Sequence, residues 1–161
     1  MYFPYDESSY YGDVYYDEIN AVHPDYPRDI KRYLSTAMEL DKALANLLDK
    51  LEQNGQLEKT VLCLYADHRP YWLNESLVKE ITSQYVDRSM TYGYHKTPFI
   101  IYNSELEGQK FDMLCSTLDN LPTIANMFNL NYDPRLYVGV DIYSEDATVI
   151  DANRNWFDKD G

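Results

Sequence analysis

Apolar positions recur along this chain in two periods. From Ile30 they fall at Tyr33, Leu34, Ala37, Leu40, Leu44, Leu47, Leu48 and Leu51, which is one stripe of a 3.6-residue helix. Pro27 precedes the run, Asp29 lies near its start, and Asn54-Gly55 supplies a left-handed stop. The next stretch, Thr60-Val61-Leu62-Cys63-Leu64-Tyr65-Ala66, is apolar on both faces and predicts a central strand of a parallel sheet. Residues 74–90 read as a helix with Leu77, Val78, Ile81 and Tyr85 in phase, and Pro98–Tyr102 as a second buried strand. A helix is expected within 111–130, with Asp119 or Asn120 as its cap and Pro122 in its first turn. The tail is strand-like at 137–143 and 147–150 and ends on Asn155-Trp156-Phe157. A helix, a short turn and a buried strand in this order predict an α/β architecture.

The first 27 residues break the pattern. MYFPYDESSYYGDVYYDEINAVHPDYP has no helical period and is punctuated by Pro4, Gly12, Pro24 and Pro27,. It carries too many aromatics for a disordered tail. The expectation is an extended Tyr-rich arm over 1–27, packed on a surface, ahead of one domain over 28–161.

Charge and cysteines narrow the partners. The 161 residues carry a net charge of -13, which repels nucleic-acid backbones and anionic lipid. Cys63 and Cys115, the two cysteines, form no disulfide framework and read as small buried hydrophobes. No stretch has the length or apolarity of a membrane span, and none reads as a signal peptide.

The candidate chemistry lies where the first strand stops. In open α/β sheets side chains converge beyond the carboxyl ends of strands, and LCLYADHRPY ends its strand on Asp67 and His68. A carboxylate oxygen and an imidazole nitrogen suit Zn²⁺ or Mn²⁺. Spacing alone favours a polar turn over a metal site, because a cation needs three or four ligands. His23 reads as an exposed loop histidine and His95 as a strand-edge one. There is no GxSxG elbow, no phosphate-binding glycine loop and no HExxH.

The order of segments adds a resemblance. Tyr33–Leu44 leads into Leu57–Leu62 and then into Tyr65-Ala66-Asp67-His68-Arg69-Pro70-Tyr71. Lys96–Asn103 and Thr117–Asn126 come next. Over residues 26–157 the series resembles the C-terminal part of the sulfatase branch of the alkaline phosphatase superfamily, most of all the lipoteichoic acid synthase and phosphoglycerol transferase group. The resemblance implies the C-terminal portion of an alkaline-phosphatase-like α/β sandwich, a mixed sheet with flanking helices. It implies that Asp67 and His68 ligate a divalent metal, Mn²⁺ foremost with Zn²⁺ or Mg²⁺ as alternatives, and that Arg69, Tyr71 and His95 are candidates to line the substrate pocket. The family's Gly before the Asp-His pair is Ala66 here.

Family members also carry a Thr nucleophile and a Glu metal ligand upstream, and no segment of this chain matches either. The opening Met1-Tyr2-Phe3-Pro4-Tyr5 resembles the segment just after a substrate-binding histidine in the family. The resemblance therefore implies a C-terminal fragment, inactive alone, whose partner is the rest of the catalytic domain. In the parent enzyme it implies a metal-activated Thr attacking a phosphatidylglycerol-like headgroup on the extracytoplasmic face of a bacterial membrane, with an acceptor hydroxyl taking the group. A homodimer of the fragment through an unpaired sheet edge is also expected. Two alternatives stand beside this: a sulfuric-ester hydrolase of the same superfamily, and a non-catalytic module that docks through the Tyr-rich arm.

Overall fold

The long helical stripe folds as predicted, while the segment before it does not. The computed structural model describes residues 10–68, 70–74, 76, 78, 97–144, 149–150 and 156–157. Helix α3 runs Arg28–Gln53 with Asn54 as its C-cap. Gly55 takes φ 63°, and the Gly55 and Gln56 amides donate to Glu52 and Leu51 carbonyls, closing the terminus as a left-handed cap does.

The extended arm is corrected over its described part. Helices α1 (Tyr11–Val14) and α2 (Tyr16–Val22) occupy it and lie against α3; residues 1–9 lie outside the described set. The cause is polar rather than periodic. Ser35 Oγ accepts from the Tyr15 amide at 2.9 Å and donates to the Tyr11 carbonyl at 2.7 Å. Lys31 Nζ donates to Asn20 Oδ1 and the Pro24 carbonyl, both at 2.7 Å, and Arg32 pairs with Asp13. Gly12 is buried in this junction. Ile30 is therefore buried together with Lys31, Arg32, Ser35 and Thr36, whereas Leu47 of the apolar stripe stays exposed.

The described residues divide between two compact units. One is drawn from the ranges Met1–Leu62, His68–Lys96 and Tyr102–Glu105, the other from Cys63–Asp67, Thr97–Ile101 and Leu106–Gly161. Strand β1 (Leu62–Tyr65) pairs with β2 (Phe99–Tyr102) in a two-stranded sheet. Neither is the fully buried strand expected. Tyr65 is exposed and β2 alternates half-buried with exposed residues, as two strands covered on one face do. The helix expected over 74–90 starts as such: Asn74 Oδ1 accepts from the Ser76 amide and the Val78 amide donates to the Asn74 carbonyl. The rest of it lies outside the described residues.

In the second unit, a 3₁₀ turn at Thr117–Asp119 leads into α4, Asn120–Met127. Asp119 holds the N-cap position of α4 but makes no side-chain cap bond there; at the start of the 3₁₀ turn, the capping side chain is that of Ser116. Its Oγ accepts from the Leu118 amide, and Asp119 Oδ2 accepts from the Ser116 amide in return, a reciprocal capping box. Pro122 sits in the first turn of α4 and is fully buried.

The strand expected at 137–143 is a loop tied to α4. Its amides bond to side chains instead of a neighbouring strand: Val140 N–H donates to Asp119 Oδ1 at 2.9 Å and Ile142 N–H to Thr123 Oγ1 at 3.0 Å. Gly139 lies so close that an added Cβ would stand 2.1 Å from the Leu118 carbonyl oxygen. The last expected strand survives as β3, Val149–Ile150, antiparallel to β4, Trp156–Phe157.

Candidate metal site

Strand β1 delivers the candidate pair. After Tyr65 the chain bends at Asp67 and His68, both of them exposed. The start of β1 and the end of β2 are fixed by an Asn that the sequence pattern gives no role. Asn103 Nδ2 donates to the Thr60 carbonyl at 2.9 Å and the Glu58 carbonyl at 3.1 Å, while its Oδ1 accepts from the Glu105 amide. An Asn placed directly after a strand is the signal that marks such a turn, its side chain accepting the backbone amide two residues on. On the second strand, Phe99 meets Tyr65 edge-on at 6.5 Å between ring centroids.

His68 is held from its own C-terminal side. Tyr71 stacks on the imidazole with centroids 4.6 Å apart and planes 19° from parallel. Tyr71 belongs to a turn closed by the Leu73 amide donating to the Pro70 carbonyl at 3.3 Å. That turn is anchored: Leu73 is buried, and Trp72 meets Tyr33 of α3 edge-on at 6.3 Å. Burial raises the Tyr33 phenol above its ordinary pKa, because the phenolate is poorly solvated there.

Of the site residues expected from the sequence, Asp67, His68 and Tyr71 are described and lie within five positions of one another along the chain. Arg69 and His95 lie outside the described residues. His23 is exposed as expected, and it stacks on Tyr26 at 4.4 Å. Among the described residues no group of three or more His, Cys, Asp or Glu side chains converges. The Asp67–His68 donors fit a divalent cation in kind, oxygen and imidazole nitrogen, and they are two of the three or four that a held cation needs. Cys63 and Cys115 stay unpaired with each other, and neither is the buried hydrophobe expected: Cys63 is half-buried and Cys115 exposed. Burial pushes both thiols up, with the Asp119 carboxylate adding to the effect at Cys115.

The helices and short strands of the fold are consistent with a family assignment. The family model for sulfatases matches residues 2–130, so this chain belongs to the sulfatase family, whose domain is α/β. Its similar relatives are lipoteichoic acid synthases. Lipoteichoic acid synthase 2 of Bacillus subtilis is 22% identical over 130 residues, covering 78% of this chain and 20% of the relative. Lipoteichoic acid synthase 1 of the same organism is 24% identical over 127 residues, again 78% and 20%. The synthase of Staphylococcus saprophyticus is 24% identical over 133 residues, 80% and 20%. This chain thus spans about a fifth of the length of the curated relatives it matches. No helix among the described residues is long and apolar enough to cross a membrane.

Proposed function

We propose that this chain forms the C-terminal part of the catalytic domain of a metal-dependent phosphoglycerol transferase of the lipoteichoic acid synthase type, built on an alkaline-phosphatase-like sandwich with a mixed sheet. The observation that carries the reading is the exposed Asp67-His68 pair beyond the end of β1 in a sulfatase-family chain. Asp67 offers a carboxylate oxygen and His68 an imidazole nitrogen to one divalent cation, Mn²⁺ before Zn²⁺ or Mg²⁺. A cation bound there supplies Lewis-acid charge to an ester oxygen. Tyr71, with Arg69 and His95, lines the pocket for a lipid or glycan phosphoester. The parent enzyme works on the extracytoplasmic face of a bacterial membrane, and its remaining ligands and its nucleophile come from the rest of the catalytic domain.

Two protein donors leave an ion mostly hydrated, and affinity rises with ligand number and preorganisation. The chain by itself therefore binds Mn²⁺ weakly and turns nothing over. A phosphodiester is preferred over a sulfate ester because the similar relatives are lipoteichoic acid synthases.

The test is Mn²⁺ titration of the purified chain, followed by loss of the free-ion electron paramagnetic resonance signal. The chain's many carboxylates give a diffuse background, so the reading lies in the difference between variants. Asp67→Ala and His68→Ala each remove the tightest class of site and leave the background. Titration curves that superimpose on the unsubstituted chain for both variants would sink the metal assignment. Mn²⁺-dependent cleavage of a phosphodiester by the chain alone would sink the claim that it needs the rest of the domain.

A further inference from the structure

The geometry points to Tyr71 as a positioning residue that holds the His68 imidazole in the orientation needed to ligate the cation, and the inference rests on the metal reading of Asp67 and His68. An exposed histidine samples several side-chain rotamers, and ordering it on a ligand costs conformational entropy. Here the ring lies face to face with Tyr71 at 4.6 Å and 19°, which restricts its torsions before any ligand arrives. Tyr71 can do this because its own turn is fixed. Leu73 is buried, Trp72 packs on Tyr33, and the Leu73 amide closes the turn onto the Pro70 carbonyl. Tyr71 itself is 64% exposed, so it contributes little to the core. Stacking needs only the ring, so the phenolic hydroxyl is dispensable for this role.

The experiment uses the whole chain and reads the Cε1–H proton resonance of His68, assigned by its loss in His68→Gln among the chain's three histidines. Three forms are compared: unsubstituted, Tyr71→Phe and Tyr71→Leu. In the unsubstituted chain the resonance is displaced by the Tyr71 ring current and broadens as Mn²⁺ is added. Tyr71→Phe keeps both the displacement and the Mn²⁺ concentration that half-broadens the signal. Tyr71→Leu loses the displacement and needs about two- to tenfold more Mn²⁺, the loss expected from an aromatic pair. Thermal unfolding of the three forms stays alike, which separates positioning from general destabilisation. Mn²⁺ sensitivity of His68 that is the same in Tyr71→Leu overturns the positioning role and leaves the metal reading standing. Loss of sensitivity in Tyr71→Phe as well overturns the claim that the ring does the work. No broadening of His68 in the unsubstituted chain overturns the metal reading and this inference together.

Discussion

Each of the two units contains a helix that captures a distant segment by the same device. On α3, the fully buried Ser35 hydroxyl accepts the backbone amide of Tyr15, twenty residues away. On α4, the fully buried Thr123 hydroxyl accepts the amide of Ile142, nineteen residues away. The surroundings differ. The junction on α3 adds two cations, Lys31 gripping a carbonyl and an amide oxygen, and Arg32 gripping Asp13. The junction on α4 adds a carboxylate, Asp119, with one oxygen on the Val140 amide and the other on the Ser116 amide. It also adds a backbone approach at Gly139 that admits no side chain. Cationic side chains reaching to carbonyls are long and adjustable, whereas a short carboxylate and a glycine contact fix the backbone itself. The second junction is consequently the more brittle of the two.

Gly139→Ala tests that brittleness and carries the largest expected effect. Its methyl would sit 2.1 Å from Leu118 O, 2.3 Å from Leu118 C and 2.7 Å from Asp119 N, all of them backbone atoms that no rotamer can clear. Forced insertion into packed structure costs about 1–3 kcal/mol, sometimes more. For a chain of this size each kcal/mol lowers Tm by about 2–4 °C. Thermal unfolding should show Gly139→Ala as the least stable of the variants named here. A Tm within a degree of the unsubstituted chain would mean that the loop is not pressed on the 3₁₀ turn.

The paired hydroxyls sharpen the comparison directly. Thr123→Val keeps the shape and leaves the Ile142 amide, in a buried residue, without its acceptor. Ser35→Ala leaves the Tyr15 amide in a half-buried residue, where water can replace the lost hydroxyl. An unmet buried donor costs about 1–3 kcal/mol. Thr123→Val is expected near the upper part of that range and Ser35→Ala near the lower. Urea unfolding of the two variants in parallel measures the order. The reverse order would show that the α3 junction, and not the α4 junction, is the drier one.

These junctions are also where the sequence is least legible. Helix α3, its Asn54-Gly55 stop, strands β1 and β2 and the Pro122 turn of α4 all follow from periodicity and turn chemistry, which act over a few residues. The family likeness and the Asp67-His68 pair are readable because they depend on order along the chain. Ser35, Lys31 and Arg32 lie off the apolar stripe of α3, so period alone turns them toward solvent, yet they are the face that α1 and α2 cover. Those two helices are short and lack a periodic face, and their helicity is supported by hydrogen bonds to α3 that no local pattern encodes. The same holds for 137–143, where alternation resembles a strand while Asp119 and Thr123 take the amides that a strand partner would need. Tyr71 is readable as a candidate near the pair, but its stack on His68 depends on Trp72 and Leu73 docking, which is tertiary.

The smallest expected effect is chemical, and it reports on the α4 junction from beside it. Cys115 directly precedes Ser116 of the capping box. Burial and then the Asp119 carboxylate raise its thiol above the ordinary value, since both disfavour a thiolate there. A raised thiol pKa leaves less thiolate at a given pH below it, so alkylation in the folded chain should be slower at about pH 8 than in the urea-unfolded chain. The inflection of rate against pH should move upward in the folded state. Cys63, raised by burial alone, serves as the internal reference, and peptide mapping after partial alkylation resolves the two sites. In Gly139→Ala the loosened junction moves Cys115 away from Asp119 and from the atoms that partly desolvate it, so its inflection falls back toward the unfolded value while that of Cys63 holds. Equal movement of both thiols would show that the substitution loosens more than the α4 junction and would remove the distinction drawn between the two regions.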